Sequence, residues 1–402
     1  MVDMDLIQLN LEVRKQLAGF SNTDPDDWFL CFKARFGAAT ALKAIFDIYG
    51  SGEVITQPYT CITAVNPILA ASLKPIYTDT DPETLSLAAL EKYYSSKTHA
   101  VIMQHTLGII GNKVERIAKF ADRHHIILIE DSAHCLGRLA ADSKGRPVAD
   151  ISIHSFGVEK ILQDTKFGGA IYVNPQLRDK NPQLYHHLTK LLLDLPQPPR
   201  SLDLRARTYR FQNSVLRRLP GRLYRSTRNL SIKAHLFEAS VYPYEQAGEQ
   251  ANAFAPNKFV LDTILKNLPS LASNYNHRRK NVAFYHKYLA NCPDFKIMTD
   301  VNEPLLAFPI IFPTAKEASA AYDMLTSSGF FIRRWYSPLL YPGPTNNRIY
   351  YYNPKMAPTA EAIHARVLCL PTDLSTAQLK HLAKILLPVE KPVQKIVKPV
   401  QK

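Results

Sequence analysis

The chain has 402 residues, 46% hydrophobic and 21% charged, an ordinary globular composition that can bury a large core without disulfides. Its five cysteines (Cys31, Cys61, Cys135, Cys292 and Cys369) are scattered and form no C-x-x-C pair, which argues against a zinc site or disulfide framework and for a reducing compartment, the cytoplasm. The net charge of +14 favours anionic partners, the start of the chain does not read as a signal peptide, and no apolar run approaches the roughly 18 residues of a membrane helix.

Residues 1–30 read as a helical lead-in with a polar turn. Helical spacing covers Ala38–Ile48, and Glu53–Thr56 is a short β-type run. Residues 62–72 predict a helix, Pro75–Thr78 a strand, Leu85–Tyr94 a helix and Ala100–Gln104 a strand. Val114–His124 is again helical, and Ile126–Glu130 is a buried apolar strand. Strands alternating with helices at this spacing predict an α/β fold with a mostly parallel central sheet sandwiched by helices. In such sheets ligands lie beyond the carboxyl ends of the strands. That rule directs attention to Pro58–Cys61, Gln104–His105, Asp131–His134 and the segment after Ile153.

Residues 177–250 break the rhythm as a helical, Leu- and Arg-rich insert. Between Arg200 and Lys233 stand ten Lys/Arg and a single acid, Asp203. A long helical region follows from Asn257. Strands at Ala307–Phe312 and Phe330–Trp335, with helices near Lys316–Ser328 and Glu361–Val367, predict a smaller α+β C-terminal domain. The expected organisation is a lead-in (1–29), a large domain (30–250), a small domain (251–388) and a disordered basic tail (389–402).

Chemistry concentrates in two segments. In Ile126–Gly137, Asp131 directly follows a buried strand, where a carboxylate is costly unless paired. Pyridoxal phosphate needs such a carboxylate to keep its ring nitrogen protonated. A helix N-cap or a metal ligand is the alternative for Asp131. His134 suits a place beside or over such a ring, or simply a satisfied buried histidine. In Ser152–Ala170, a short β run leads to Ser155, Lys160 follows on a loop, and Gly168-Gly169 precede an apolar strand. Lys160 suits a Schiff-base lysine if burial and nearby positive charge lower its pKa. A surface lysine is the alternative, and Lys166 is the internal competitor. Ser155 suits a phosphate contact. Earlier, Gly37–Leu42 places small residues and the Thr40 hydroxyl where a helix start would hold a phosphate.

These segments, in this order, resemble the DegT/StrS family of nucleotide-sugar aminotransferases within the fold-type I pyridoxal-phosphate enzymes. The E-D-x-A-[HQ]-x-x-G block matches Glu130–Gly137, S-F-x-x-x-K matches Ser155–Lys160, and G-G-A-I matches Gly168–Ile171. Glu53–Thr60, His105–Gly108, the helix around Asn276–Tyr285 and Ala360–Ser375 resemble further family blocks. The resemblance implies pyridoxal phosphate on Lys160, with Asp131 at its ring nitrogen and His134 at its side. It implies phosphate contacts from Ser155, Ala39 and Thr40, and a homodimer whose active site lies at the subunit interface. Three departures stand out. The cradle reads G-A-A-T-A-L instead of S-G-T-A-A-L, Cys61 stands where an aromatic commonly stacks on the ring, and no clear N-x-R-M segment stands out: Asn252 and Asn257 are the candidates, but neither has an Arg two residues on.

The resulting expectation is transfer of an amino group from glutamate or a similar donor to a keto-sugar, nucleotide-linked, in polysaccharide, glycan or antibiotic-sugar biosynthesis. Two alternatives share the sequence. One is a dehydratase or lyase of the same fold. The other is a weakly catalytic scaffold that docks Arg200–Lys233 on an anionic membrane. No nucleic-acid motif and no metal cluster is present in the sequence.

Overall fold

The structure, a computed structural model, describes residues 4–387 except 112, 217, 235, 240, 251 and 344–346. The expected tail at 389–402 lies outside the described residues.

The first half of the chain runs α1 (Leu6–Ser21), β1 (Trp28–Cys31), α2 (Ala34–Tyr49), β2 (Glu53–Thr56), α3 (Ile62–Ala70), β3 (Lys74–Tyr77), β4 (Thr98–Gln104), α4 (Val114–Arg123), β5 (Ile127–Ser132), β6 (Ile151–Ser155) and β7 (Gly169–Val173). The insert contains α5 (Gln176–Lys180), α6 (Pro182–Leu193), α7 (Arg200–Leu216), α8 (Gly221–Lys233) and the single turn α9 (Pro243–Gln246). Beyond it come α10 (Lys258–Asn267), α11 (Leu271–Leu289), β8 (Lys296–Ile297), β9 (Ala307–Ile311), α12 (Ala315–Ser327), α13 (Pro358–Ile363), β10 (Val367–Pro371) and α14 (Thr376–Leu386).

Seven strands form one sheet in the order β1-β7-β6-β5-β4-β2-β3. The pairs from β6 to β3 are parallel, whereas β7 runs antiparallel to both β6 and β1. Side chains alternate across a strand, and both faces of this sheet are apolar. Ile102 and Ile129 enter the main core, while Val101, Met103 and Leu128 meet Ile117 and Phe120 of α4 on the other face. Helices on both faces are what a parallel sheet requires. A second, three-stranded antiparallel sheet, β10-β9-β8, carries the C-terminal part.

Several expected elements differ. The lead-in supplies edge strand β1, so it joins the large sheet. Leu85–Tyr94 is not a helix: Leu85 and Ala89 take φ of 53° and 52°, and only Leu90–Lys92 makes a 3-10 turn. There Asp81 accepts the Thr84 amide at 3.0 Å, fixing a turn where apolar spacing suggested helix. Phe330–Trp335 forms only an isolated bridge between Arg333 and Cys369. The helix expected at Glu361–Val367 ends at Ile363, because Val367 already pairs with Ile311 in β10.

Helix α2 starts at Ala34, four residues before the expected Ala38. The cause lies in β7. The amide of Gly168 donates to the Phe32 carbonyl at 2.8 Å, and Lys33 bridges Gly168. A Cβ on Gly169 would sit 2.5 Å from the backbone N and Cα of Ala34. The glycine pair thus lets the start of α2 press onto the sheet. Gly169→Ala is expected to cost about 1–3 kcal/mol, the usual penalty of overpacking, measured as a lowered denaturation midpoint. It should also weaken any anion bound at the start of α2, since Ala34 must move.

Candidate active site

Parallel register brings the carboxyl ends of three strands to one edge. Gln104 of β4 lies opposite Asp131 of β5, and Ser132 lies opposite His154, next to Ser155 of β6. Over this edge lies a cavity of about 280 Å³. Its lining includes Asp131, His134, Ser155, Lys160 and Cys61, so the structure brings five of the seven predicted site residues together.

Ala39 and Thr40 are the exceptions. They lie inside α2 rather than at its start, and neither lines the cavity. The Thr40 hydroxyl donates to the Phe36 carbonyl at 2.9 Å, one helical turn back. The start of α2 at the cavity is instead Lys33, Ala34 and Arg35. No side chain caps this helix, so its amide dipoles are open to an anion. The small residues at 37–41 drew attention away from it. The helical spacing does extend back to Ala34, but nothing in the sequence distinguishes Lys33 and Arg35 from other surface cations.

Two adjacent acids on β5 have opposite fates. Glu130 is fully buried behind the cavity wall. It accepts from the Ala140 amide at 2.7 Å, meets His105 Nε2 at 2.6 Å and accepts from the Ser152 hydroxyl. Burial alone would raise its pKa, but the bonds from His105 and Ser152 outweigh this and hold it at about 2. Asp131 accepts a single bond, from the Ala133 amide at 3.0 Å. Its carboxyl is raised by burial, against the pull of that amide and of Lys160. Asp131 therefore has unused acceptor capacity facing the cavity, whereas Glu130 is committed to the scaffold.

The sign of the Glu130 effect gives a stability prediction. Its folded pKa lies below the ordinary 4.5, so the stabilisation is present above that value and is lost as pH falls toward about 2. Glu130→Gln should cost on the order of 3 kcal/mol at pH 7. The difference from wild type should shrink toward zero near pH 2, as urea midpoints across the range would show.

His134 is sandwiched by named partners. Its Nδ1 accepts the Leu107 amide at 3.0 Å, so neutral imidazole carries its proton on Nε2, 3.2 Å from the Tyr336 hydroxyl. The Trp335 ring stacks on it at 5.2 Å and 14°. Burial, with the charges of Lys160 and Arg333, holds its pKa well below the ordinary value, so it stays neutral.

Lys160 Nζ lies 5.7 Å from the centroid of the same Trp335 ring. Burial lowers its pKa and Arg333 adds to the effect, while Asp131, Cys61 and Glu159 oppose it. Amine and carboxylate thus face one cavity and feel each other's charge. The competitor Lys166 also borders the cavity, but it donates to the Gln163 carbonyl. Ser155 Oγ accepts the Gly157 amide at 3.1 Å and retains its proton for a ligand.

The far wall comes from distant sequence. Trp335, Tyr336 and Tyr341 line the cavity. They are tied down by Tyr59, whose hydroxyl donates to the Trp335 carbonyl at 2.6 Å, and by the Tyr341 amide, which donates to the Thr60 carbonyl at 2.9 Å. No local motif signals these contacts, which span more than 270 residues of chain. Among the described residues no group of His, Cys, Asp and Glu side chains is arranged to hold a metal ion, and no helix is long and apolar enough to cross a membrane.

Residues 36–190 and 263–386 match the DegT/DnrJ/EryC1/StrS aminotransferase family. The chain belongs to this family. Among curated relatives, the L-glutamine:2-deoxy-scyllo-inosose aminotransferase of Streptomyces kanamyceticus is 26% identical over 336 residues, 78% of this chain and 72% of the relative. The dTDP-4-amino-4,6-dideoxy-D-glucose transaminase of Escherichia coli is 24% identical over 365 residues, covering 88% and 83%. Among solved structures, Helicobacter pylori PseC superposes with a TM-score of 0.68 at 16% identity, covering 94% of this chain and 90% of that one. Bacillus subtilis ntda, solved with bound cofactor PMP, gives 0.65 at 18% identity over 94% and 77%. The mostly parallel seven-stranded sheet is that of the fold-type I aminotransferases, pyridoxal-phosphate-dependent enzymes.

The residues present fit that cofactor. One cavity offers a primary amine of lowered pKa, a carboxylate with free acceptor capacity, a neutral imidazole, a serine hydroxyl and an uncapped helix start with two cations. Most of the 177–250 insert falls outside the matched segments.

Proposed function

We propose that this DegT/DnrJ/EryC1/StrS family member moves an amino group from glutamate, or a similar amino-acid donor, to a keto-sugar carried on a nucleotide. The observation that carries the reading is that Lys160 and Asp131 line one and the same cavity. The relatives' named activities support the substrate class: one is a transaminase of a dTDP-linked amino-dideoxy sugar, the other an aminotransferase of a sugar-like keto-cyclitol.

When bound, pyridoxal phosphate supplies an aldehyde that captures amines and a ring that accepts electrons. Lys160 would hold that aldehyde, and its Nζ would take up a proton as general base and return it as general acid. A pKa lowered by burial favours the base role over that of an ordinary surface lysine. Asp131 would keep a proton on the ring nitrogen. His134, fixed by Leu107 and Tyr336, orients the ring without adding charge. Ser155 and the start of α2, with Lys33 and Arg35, take the phosphate in place of Ala39 and Thr40. Cys61 lines the cavity with a smaller side chain than an aromatic.

The test is direct. Full-length protein loaded with pyridoxal phosphate and given glutamate should convert the cofactor to pyridoxamine phosphate, and a panel of nucleotide keto-sugars should then regenerate it. Elimination of water or ammonia in place of amino transfer would favour the dehydratase or lyase reading. The proposed assembly is a cytoplasmic homodimer, with light scattering at twice the chain mass as its check.

A second property, contact with anionic membrane, is favoured by the surface of the insert. Leu204, Phe211 and Val215 repeat along one face of α7, and Leu223 and Leu230 along one face of α8, all exposed beside arginines such as Arg207, Arg218 and Arg228. Sedimentation with phosphatidylserine vesicles should be lost in a Leu204→Glu, Phe211→Glu variant.

A further inference from the structure

Glu130 stands behind the cavity, but one of its partners reaches into it. Side chains alternate along a strand. Asp131 and its register partner Gln104 therefore face the cavity, whereas Glu130 lies opposite Met103 on the α4 side of the sheet. His105 follows directly on β4. Its amide donates to the Asp131 carbonyl at 3.1 Å, its Nε2 meets Glu130 Oε1 at 2.6 Å, and its ring lines the cavity. The imidazole thus links the two sides of the sheet at its carboxyl edge. His105 is only 2% exposed, yet its Nδ1 makes no hydrogen bond among the described residues. A polar atom of a buried side chain left without a partner beside a cavity calls for an explanation.

The charge on Glu130 supplies one. Its carboxylate is ionised and fully buried, which is tolerated only where a cation or several donors face it. Of its bonded partners, the Ala140 amide and the Ser152 hydroxyl are neutral, and the His105 ring alone can carry charge. The other basic neighbour, His154, is pushed down to about 4 by burial, and its Nδ1 accepts the Gly137 amide at 3.2 Å. Asp131 has the complementary need. It is enclosed, it accepts one hydrogen bond, and Lys160 must shed its charge to attack an aldehyde. His105 is the other positive group that acts on it.

We propose that His105 is a positioning residue for Asp131. Bound to Glu130 through Nε2–H, its ring carries a proton on Nδ1 as well, and this imidazolium keeps Asp131 ionised at the edge of the cavity. Glu130, which does not line the cavity, acts through His105 from behind the sheet. The inference deepens the proposed function and rests on it only for the identity of the ring that Asp131 would meet.

Two measurements on the full-length chain test it. Long-range proton–nitrogen NMR of the histidine rings, without cofactor, should show both nitrogens of His105 protonated at pH 7, and only one in Glu130→Gln. Calorimetry should then compare pyridoxal phosphate with its analogue in which C–H replaces the ring nitrogen. The wild type should prefer the natural cofactor. Glu130→Gln should lose about tenfold of that preference, one pKa unit of support for the Asp131 charge, while keeping its affinity for the analogue. The double variant Glu130→Gln, His105→Gln retains a hydrogen-bonded pair without charge, so it guards against misfolding, and it should show the same loss. A single protonated nitrogen on His105 in the wild type, or variants that weaken both ligands alike, would overturn the proposal. Failure of the proposed function reads differently: equal affinity of the wild type for the two ligands would remove the cofactor ring from Asp131, and the nitrogen signals, read without cofactor, still decide the charged pair.

Discussion

Replacing Lys160 with alanine is expected to lower turnover by at least about a thousandfold, the upper range for removing a general acid–base group. The protein should lose the visible absorbance of lysine-bound cofactor while keeping its fold. Lys160 is only partly buried and makes no hydrogen bond that holds the scaffold; its contacts are the Trp335 ring and the charges around it. Alanine therefore removes chemistry and little packing. Affinity for pyridoxal phosphate should fall less than turnover, because Asp131, Ser155 and the start of α2 remain. Lys160→Arg should not rescue activity, since a guanidinium cannot give up its proton at neutral pH. Turnover close to wild type in the alanine variant would remove Lys160 from the mechanism.

Asp131→Asn separates charge from shape. Asparagine can still accept the Ala133 amide, so the turn after β5 is kept. It cannot hold a proton on a ring nitrogen by charge, and turnover should fall by about 10²–10³, comparable to losing one preorganised electrostatic contact. Stability should move the other way. Burial raises the folded pKa of Asp131, so between the ordinary value of 3.8 and that raised value the folded state binds more protons, and stability falls as pH rises through the window. Above that window the native state bears the cost of the ionised group, and asparagine relieves it. A thermal midpoint equal to or above wild type, with activity lost, is the expected pair of results. A lowered midpoint would make Asp131 a structural residue.

Much of this was legible in the sequence because the chemistry clusters locally. Asp131 and His134 share one strand-to-turn segment, and Ser155, Lys160 and Gly168 share another. The parallel-sheet rule then puts both at one edge, where β5 and β6 pair. What stayed hidden depends on distance or on backbone placement. That Lys33 and Arg35, and not Ala39 and Thr40, line the cavity goes with Gly169 pressing against Ala34, a contact between residues far apart in the chain. Trp335 and Glu238 reach the cavity from widely separated parts of the C-terminal half, and neither sits in a recognisable motif. Leu85–Tyr94 misled for the opposite reason. Its apolar spacing suits a helix, but the capacity of Asp81 to bond nearby amides turned the chain.

The most direct measurement is borohydride reduction of the cofactor-loaded enzyme, followed by peptide mass spectrometry. Reduction fixes a carbon–nitrogen double bond between cofactor and protein wherever it lies. The label is expected on the peptide containing Lys160 and on that residue alone. A label on Lys166, or no label in a protein that has retained pyridoxal phosphate, would contradict the assignment.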